Sequence, residues 1–169
     1  MYQLNDRAAN VIGFFVCHEL LLVGYYYQFV EGLDPCPLCI FQRVAFMLLA
    51  LAFLAGAVYD GSKTYKQAVN GFGIFGGLMG IFLAGRHLYL QGLPADEVPA
   101  CGPGLDYMMQ LFSYIEVLQK VLSGSGECAE VSWTFLGLSM PGWAMVWFIL
   151  FTAIFGWRVF TLSSTNKPL

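Results

Sequence analysis

Ile40-Phe-Gln-Arg-Val-Ala-Phe-Met-Leu-Leu-Ala-Leu-Ala-Phe-Leu-Ala-Gly-Ala-Val-Tyr59 carries a single charge, Arg43. A helix rises 1.5 Å per residue, so a run of this length covers the ~30 Å hydrocarbon thickness of a bilayer. Three further runs, about 11–30, 68–90 and 142–162, have the same character. Composition agrees: of 169 residues, 58% are hydrophobic and only 11% charged, against roughly 25% charged in a soluble domain. Mean hydropathy is +0.65. A disordered chain is excluded, and so is a nucleic-acid binder, since no basic surface is left to neutralise phosphates. The expected architecture is all-α, a four-helix transmembrane bundle in one domain spanning 1–169. The first run is longer than the apolar core of a secretory signal and reads as a retained span.

The links between runs are unequal. Residues 31–39 and 60–67 are short, whereas 92–141 has room for structure. Arg7, Lys63, Lys66, Arg158 and Lys167 fall at one side of the spans, so both termini are expected in the cytoplasm, with loops 31–39 and 92–141 outside. In the long loop, Met108, Leu111, Phe112, Ile115, Leu118 and Leu122 recur at helical spacing, which predicts a short amphipathic helix parallel to the membrane. Pro94, Pro99, Gly102, Pro103 and Gly104 predict an extended, exposed segment ahead of it. In the third span, Gly73 and Gly77, and likewise Gly76, Gly80 and Ala84, repeat every four residues, a face suited to close helix packing. His87 falls three residues after Ala84 on that side and should point into the bundle.

Cysteines carry the chemistry. Cys17 lies within the first span and reads as an inert apolar side chain. Cys36, Cys39, Cys101 and Cys128 are expected outside, where an oxidising compartment favours pairing. Four cysteines allow three arrangements, and proximity along the chain favours 36 with 39 and 101 with 128. No metal is expected: a zinc site would want two close pairs or added histidines, and His18 and His87 both fall within spans. Haem attachment wants a histidine directly after Cys39, where Ile40 stands.

A redox reading has a physical basis. Pro37 is favoured at the first helical position, so the sulfurs sit by the free amides of a helix N-terminus, and Arg43 lies one turn beyond Cys39. Both features favour thiolate. Cys39, Arg43 and His87 are expected at similar depth, lining one cavity. A structural disulfide between Cys101 and Cys128 would contribute about 3.6 kcal/mol through chain entropy. The Pro/Gly surroundings of Cys101 instead suggest a bond open to attack by a partner thiolate. Glu19, beside His18 in the first span, is expected to bond inside the bundle or move protons.

The chain resembles the DsbB family of disulfide bond formation proteins. The resemblance rests on the four spans, Cys36-Pro-Leu-Cys39-Ile-Phe-Gln-Arg43, the His87–Gln91 segment, the loop cysteine pair and Trp133-Thr-Phe-Leu-Gly-Leu-Ser-Met-Pro-Gly-Trp143. It implies a bacterial inner-membrane enzyme. Cys101 would be attacked by the soluble thioredoxin-like oxidant DsbA, freeing Cys128, and electrons would pass to Cys36 and Cys39. A quinone, ubiquinone or menaquinone, would then be met by Cys39 and held with Arg43 and His87. The competing class is a non-enzymatic membrane scaffold braced by structural disulfides. The architecture is also similar to the vitamin K epoxide reductase type, whose Cys-x-x-Cys follows the loop cysteines, the reverse of the order here.

Overall fold

The computed structural model describes residues 2–100, 102 and 105–164. Cys101, Pro103, Gly104 and Lys167 lie outside the described residues. Four long helices dominate: α1 (Tyr2–Phe29), α2 (Pro37–Val58), α3 (Lys63–Gln91) and, after the long loop, α7 (Met140–Ser164). Each contains a stretch long and apolar enough to cross a membrane. Cys36, with extended φ/ψ, caps α2, and Pro37 opens it as the sequence predicts. Ser62 caps α3, its Oγ accepting from the Tyr65 amide at 3.3 Å.

The glycine face of α3 packs on α7 and α2. A Cβ at Gly73 would stand 2.7 Å from the Phe155 ring, so only a glycine admits that ring. Such close approach brings the backbones together where lipid supplies no hydrophobic drive. Phe46 stacks on Phe148 with centroids 4.1 Å apart, and Phe53 meets Phe155 at 4.5 Å. These rings, with Leu49, Ala52 and Cys17, form the bundle core.

The long loop differs from a single amphipathic helix. It forms α4 (Leu105–Leu111), α5 (Tyr114–Ser123) and α6 (Gly126–Ala129). The break falls at Ser113, whose amide and hydroxyl both donate to the Glu116 carboxylate at 2.9 Å. That capping interaction starts a new helix where the apolar periodicity alone runs on. Its hydrogen bonds hold the Glu116 carboxyl below the usual range. Val117 and Val121 of α5 face the protein, joined by Met108, Leu38, Leu83, Leu90, Cys36 and Cys128 in a second apolar cluster over the bundle end. Tyr114, Ile115 and Leu118 face outward. Residues 92–100 form no helix beyond a turn closed by Glu97 N–H to Pro94 O at 2.9 Å.

Ahead of α7, β1 (Thr134–Phe135) and β2 (Leu138–Ser139) pair antiparallel. Leu136 and Gly137 both have positive φ, 51° and 80°, the backbone of a two-residue hairpin turn. Ser139 Oγ donates to Gln91 Oε1 at 2.7 Å, tying the hairpin to the end of α3.

Candidate functional site

Three elements meet at one end of the bundle. The start of α2 brings Cys36 and Cys39, the end of α3 brings His87, and α6 brings Cys128. Among the described residues all four cysteines are free thiols. Cys36 Sγ and Cys39 Sγ are 3.4 Å apart. The His87 imidazole spans them, Nε2 standing 3.9 Å from Cys36 Sγ and Nδ1 3.9 Å from Cys39 Sγ. His87 is 2% exposed and Cys36 6%. Gln42, also buried, places Nε2 3.1 Å from His87 Nδ1. An amide N–H donating there leaves the imidazole's own proton on Nε2, toward Cys36.

Cys128 is 1% exposed and faces Cys36. Its amide donates to Ser125 O at 2.9 Å. Hydrogen bonding with Cys36, then burial, push the Cys128 thiol well above its ordinary pKa. The residues flanking position 101 approach the start of α6. Ala100 O accepts from the Gly126 amide at 3.2 Å, and Gly102 lies against Ser125. The chain therefore passes the start of α6 on both sides of position 101.

Arg43 lies one turn below Cys39 and turns toward α1. Its Nη1 donates to Gln28 Oε1, its Nη2 donates to Gly24 O at 3.0 Å, and its Cζ lies 4.9 Å from the Tyr25 ring centroid. Cys36, Cys39, Arg43 and His87 line one cavity of about 390 Å³. Leu20, Leu21, Phe46 and Trp147 form apolar wall, and Trp133, Phe135 and Trp143 close the hairpin side. A larger cavity, about 910 Å³, lies at the other end of the bundle and has no thiol in its lining.

Sequence and structure part company at Glu19. It does not bond inside the bundle: Glu19 and His18 have side chains 68% and 52% exposed, Nδ1 and Oε1 being 3.6 Å apart on the outer face of α1. Three further residues matter to the site. Gln42 orients His87, Gln28 holds Arg43, and Arg86 donates to Leu122 O at 2.9 Å and Ser123 O at 2.7 Å, fastening the end of α5 to α3. The Gln42 signal is readable afterwards, as a polar side chain in an apolar span one turn from Leu38.

A sequence profile described as Disulfide bond formation protein DsbB matches residues 6–158. The chain belongs to the DsbB family. It is 49% identical to Disulfide bond formation protein B of Hahella chejuensis over 156 residues, 91% of this chain and 94% of that one. It is 47% identical to the protein of that name from Nitrosococcus oceani over 161 residues, 93% of each chain. With the Xylella fastidiosa protein of that name it shares 39% over 168 residues, 99% of this chain and 96% of the other. Family membership and the four long apolar helices make the chain a multi-pass membrane protein of disulfide bond formation.

Proposed function

We propose that the chain is a protein-dithiol:quinone oxidoreductase of the bacterial inner membrane. It reoxidises the periplasmic oxidant DsbA through Cys101/Cys128 and Cys36/Cys39. The observation that carries this is the gathering of Cys36, Cys39, Cys128 and His87 at one bundle end, beside a cavity reached by Arg43.

The DsbA thiolate attacks Cys101 of a Cys101–Cys128 disulfide, forming a mixed disulfide and releasing Cys128. The approach of Ala100 and Gly102 to Ser125 and Gly126 supports that pairing. Cys128 then attacks Cys36, which it already faces, breaking the Cys36–Cys39 bond and leaving Cys39 as thiolate. A thiol of raised pKa is the stronger nucleophile once deprotonated. The second DsbA thiol displaces Cys101 from the mixed disulfide, releasing oxidised DsbA, and Cys101 takes back Cys128, freeing Cys36 as the second reduced sulfur. His87 Nε2, facing Cys36, is placed to exchange a proton with that sulfur.

The cavity suits a flat ring with an apolar tail: its walls are aromatic and aliphatic, and its polar groups converge at Cys39, Gln42, Arg43 and His87. Cys39, Arg43 and His87 would hold a quinone, which when bound supplies the capacity to accept two electrons and two protons. Gln28 and Gly24 O fix the Arg43 guanidinium in advance, so its charge is ready to favour thiolate at Cys39 and negative charge on a bound oxygen.

Arg7, Lys63, Lys66 and Arg158 fall at the end opposite the thiols, which supports cytoplasmic termini and loops 31–39 and 92–141 in the periplasm. The outward Tyr114, Ile115 and Leu118 support α5 resting on the lipid surface. The test is quinol formation by the purified chain with reduced DsbA and quinone. Turnover that requires Cys36, Cys39, Cys101 and Cys128 is the expected result. No turnover would favour a scaffold with structural disulfides.

A further inference from the structure

We propose that Cys36, Cys39 and His87, with both thiols reduced, form a site for a thiophilic divalent cation such as Zn²⁺ or Cd²⁺. Occupancy holds the pair as dithiolate and stops disulfide formation there. The regulatory half rests on the redox reading above; the binding half does not.

Geometry comes first. With Zn–S near 2.3 Å and Zn–N near 2.05 Å at tetrahedral angles, ligand sulfurs stand about 3.8 Å apart and sulfur and nitrogen about 3.6 Å apart. The sulfurs are 3.4 Å apart, and Nε2, the ring nitrogen free to ligate, stands 3.9 Å from Cys36 Sγ. One donor atom from each residue can be chosen with all three within 4.8 Å of one another. Side-chain shifts of about 1 Å or less therefore bring three ligands to tetrahedral spacing and leave the fourth position open.

Charge is the second argument. Two of the three donors are buried, Cys36 6% and His87 2% exposed, and Cys39 is half-buried, so an unbalanced charge there is costly. Two thiolates neutralise one dication, and the two thiol protons leave to solvent on binding. The sulfurs keep their oxidation state, and their lone pairs are committed to the metal instead of an S–S bond. In the disulfide state those donors are lost, so binding is gated by reduction.

Gln42 completes the arrangement. A half-turn of its amide sets Oε1 against a protonated Nδ1, 3.1 Å away in the present placement. That leaves the Nε2 lone pair aimed at Cys36, an outer-sphere carbonyl fixing the ligand tautomer as in many zinc sites. The sequence argues against a metal on two grounds, the lack of a second close cysteine pair and the histidines lying within spans. The fold answers the second, because the end of α3 delivers His87 to the Cys-x-x-Cys pair.

The test is an anaerobic titration of the full-length chain in detergent with Cd²⁺, followed by thiolate-to-metal absorption in the ultraviolet. The reduced chain should take up about one equivalent at this site in a saturable step, also when Cys101→Ser and Cys128→Ser remove the loop thiols. The oxidised chain should show no such step, and Zn²⁺ should displace the band. His87→Gln, which keeps a polar side chain, should weaken binding about ten-fold or more. Absence of a saturable band in the reduced chain overturns the proposal, and so does a band that persists when Cys36→Ser and Cys39→Ser are added to the variant lacking the loop thiols. Unchanged affinity in His87→Gln removes the histidine from the site. Quinol formation is measured separately on metal-free protein, so loss of either result leaves the other standing.

Discussion

Replacing Arg43 by Gln removes a charge whose surroundings are defined. The guanidinium makes hydrogen bonds to Gln28 Oε1 and Gly24 O and stacks on Tyr25 at 4.9 Å. Two effects separate. The first is packing: α1 loses part of its tie to α2, and with hydrogen bonds to charged groups contributing about 1.5–3 kcal/mol each, halved for a site half open to its surroundings, the expected loss of stability is about 1.5–3 kcal/mol. The second is electrostatic: withdrawing one preorganised donor from developing negative charge costs about 10²–10³ in rate. The assay is stopped-flow of the two half-reactions in detergent. Oxidation of reduced DsbA by the oxidised chain should slow less than about three-fold, because that exchange starts at the loop cysteine pair and not at Cys39, while quinone reduction by the reduced chain should fall by about 10²-fold. Arg43→Lys, which restores charge without the two-pronged contact to α1, should recover part of the quinone step only. Equal losses in both half-reactions, with melting temperature lowered in proportion, would show Arg43 to be a packing residue and refute its role in the cavity.

Glu19→Gln should leave turnover and its pH profile unchanged, since the carboxylate faces away from the thiols; an altered profile would restore a proton role. Gly73→Val should lower thermal stability in detergent by about 1–3 kcal/mol through collision with Phe155, and an unchanged melting curve would contradict the close packing of α3 on α7. In the reduced chain the Cys128 thiol, hydrogen-bonded to Cys36 and buried, is held protonated. Its alkylation by iodoacetamide should therefore climb about ten-fold per pH unit from about pH 7 to 10; a plateau near pH 9 would mean an ordinary thiol. The sign for stability follows: the contribution of this raised pKa is complete below the unfolded thiol value of about 8.5 and is lost as pH rises above it. Arg86→Gln should free the end of α5 and raise the rate of proteolysis in 105–126, with unaltered cleavage kinetics arguing against the clamp on Leu122 and Ser123.

Much of this molecule is legible from sequence because lipid allows few ways to satisfy a backbone. Four apolar runs become four helices, Pro37 marks the start of α2, and the four-residue spacing of Gly73, Gly76, Gly77, Gly80 and Ala84 marks the packed side of α3 that carries His87 inward. The same environment hides Glu19. In a span apolar all round, a lipid-facing position and a core-facing one share a composition, so an acidic residue in α1 could not be assigned a side. The break at Ser113 was obscured because the apolar spacing runs unbroken through it, and only the Ser113/Glu116 cap reveals it. Gln28 and Arg86 act across sequence separations of 15 and 36 residues, and no local pattern encodes such partners. The proximity of Cys128 to Cys36 likewise arises from the apolar cluster under α5 and α6, a tertiary event.

The position of Cys36 just outside α2 has a consequence for how sulfurs change partners. Its carbonyl is anchored by the Ile40 amide at 3.2 Å, and the following residue, a proline, has no amide hydrogen to lose. Cys39, by contrast, lies in the first turn, where a helical backbone disfavours one of the three staggered χ1 settings. The outer side chain, on extended backbone, keeps the wider choice of settings between its neighbours. A single helix boundary thus gives the two thiols unequal freedom of direction.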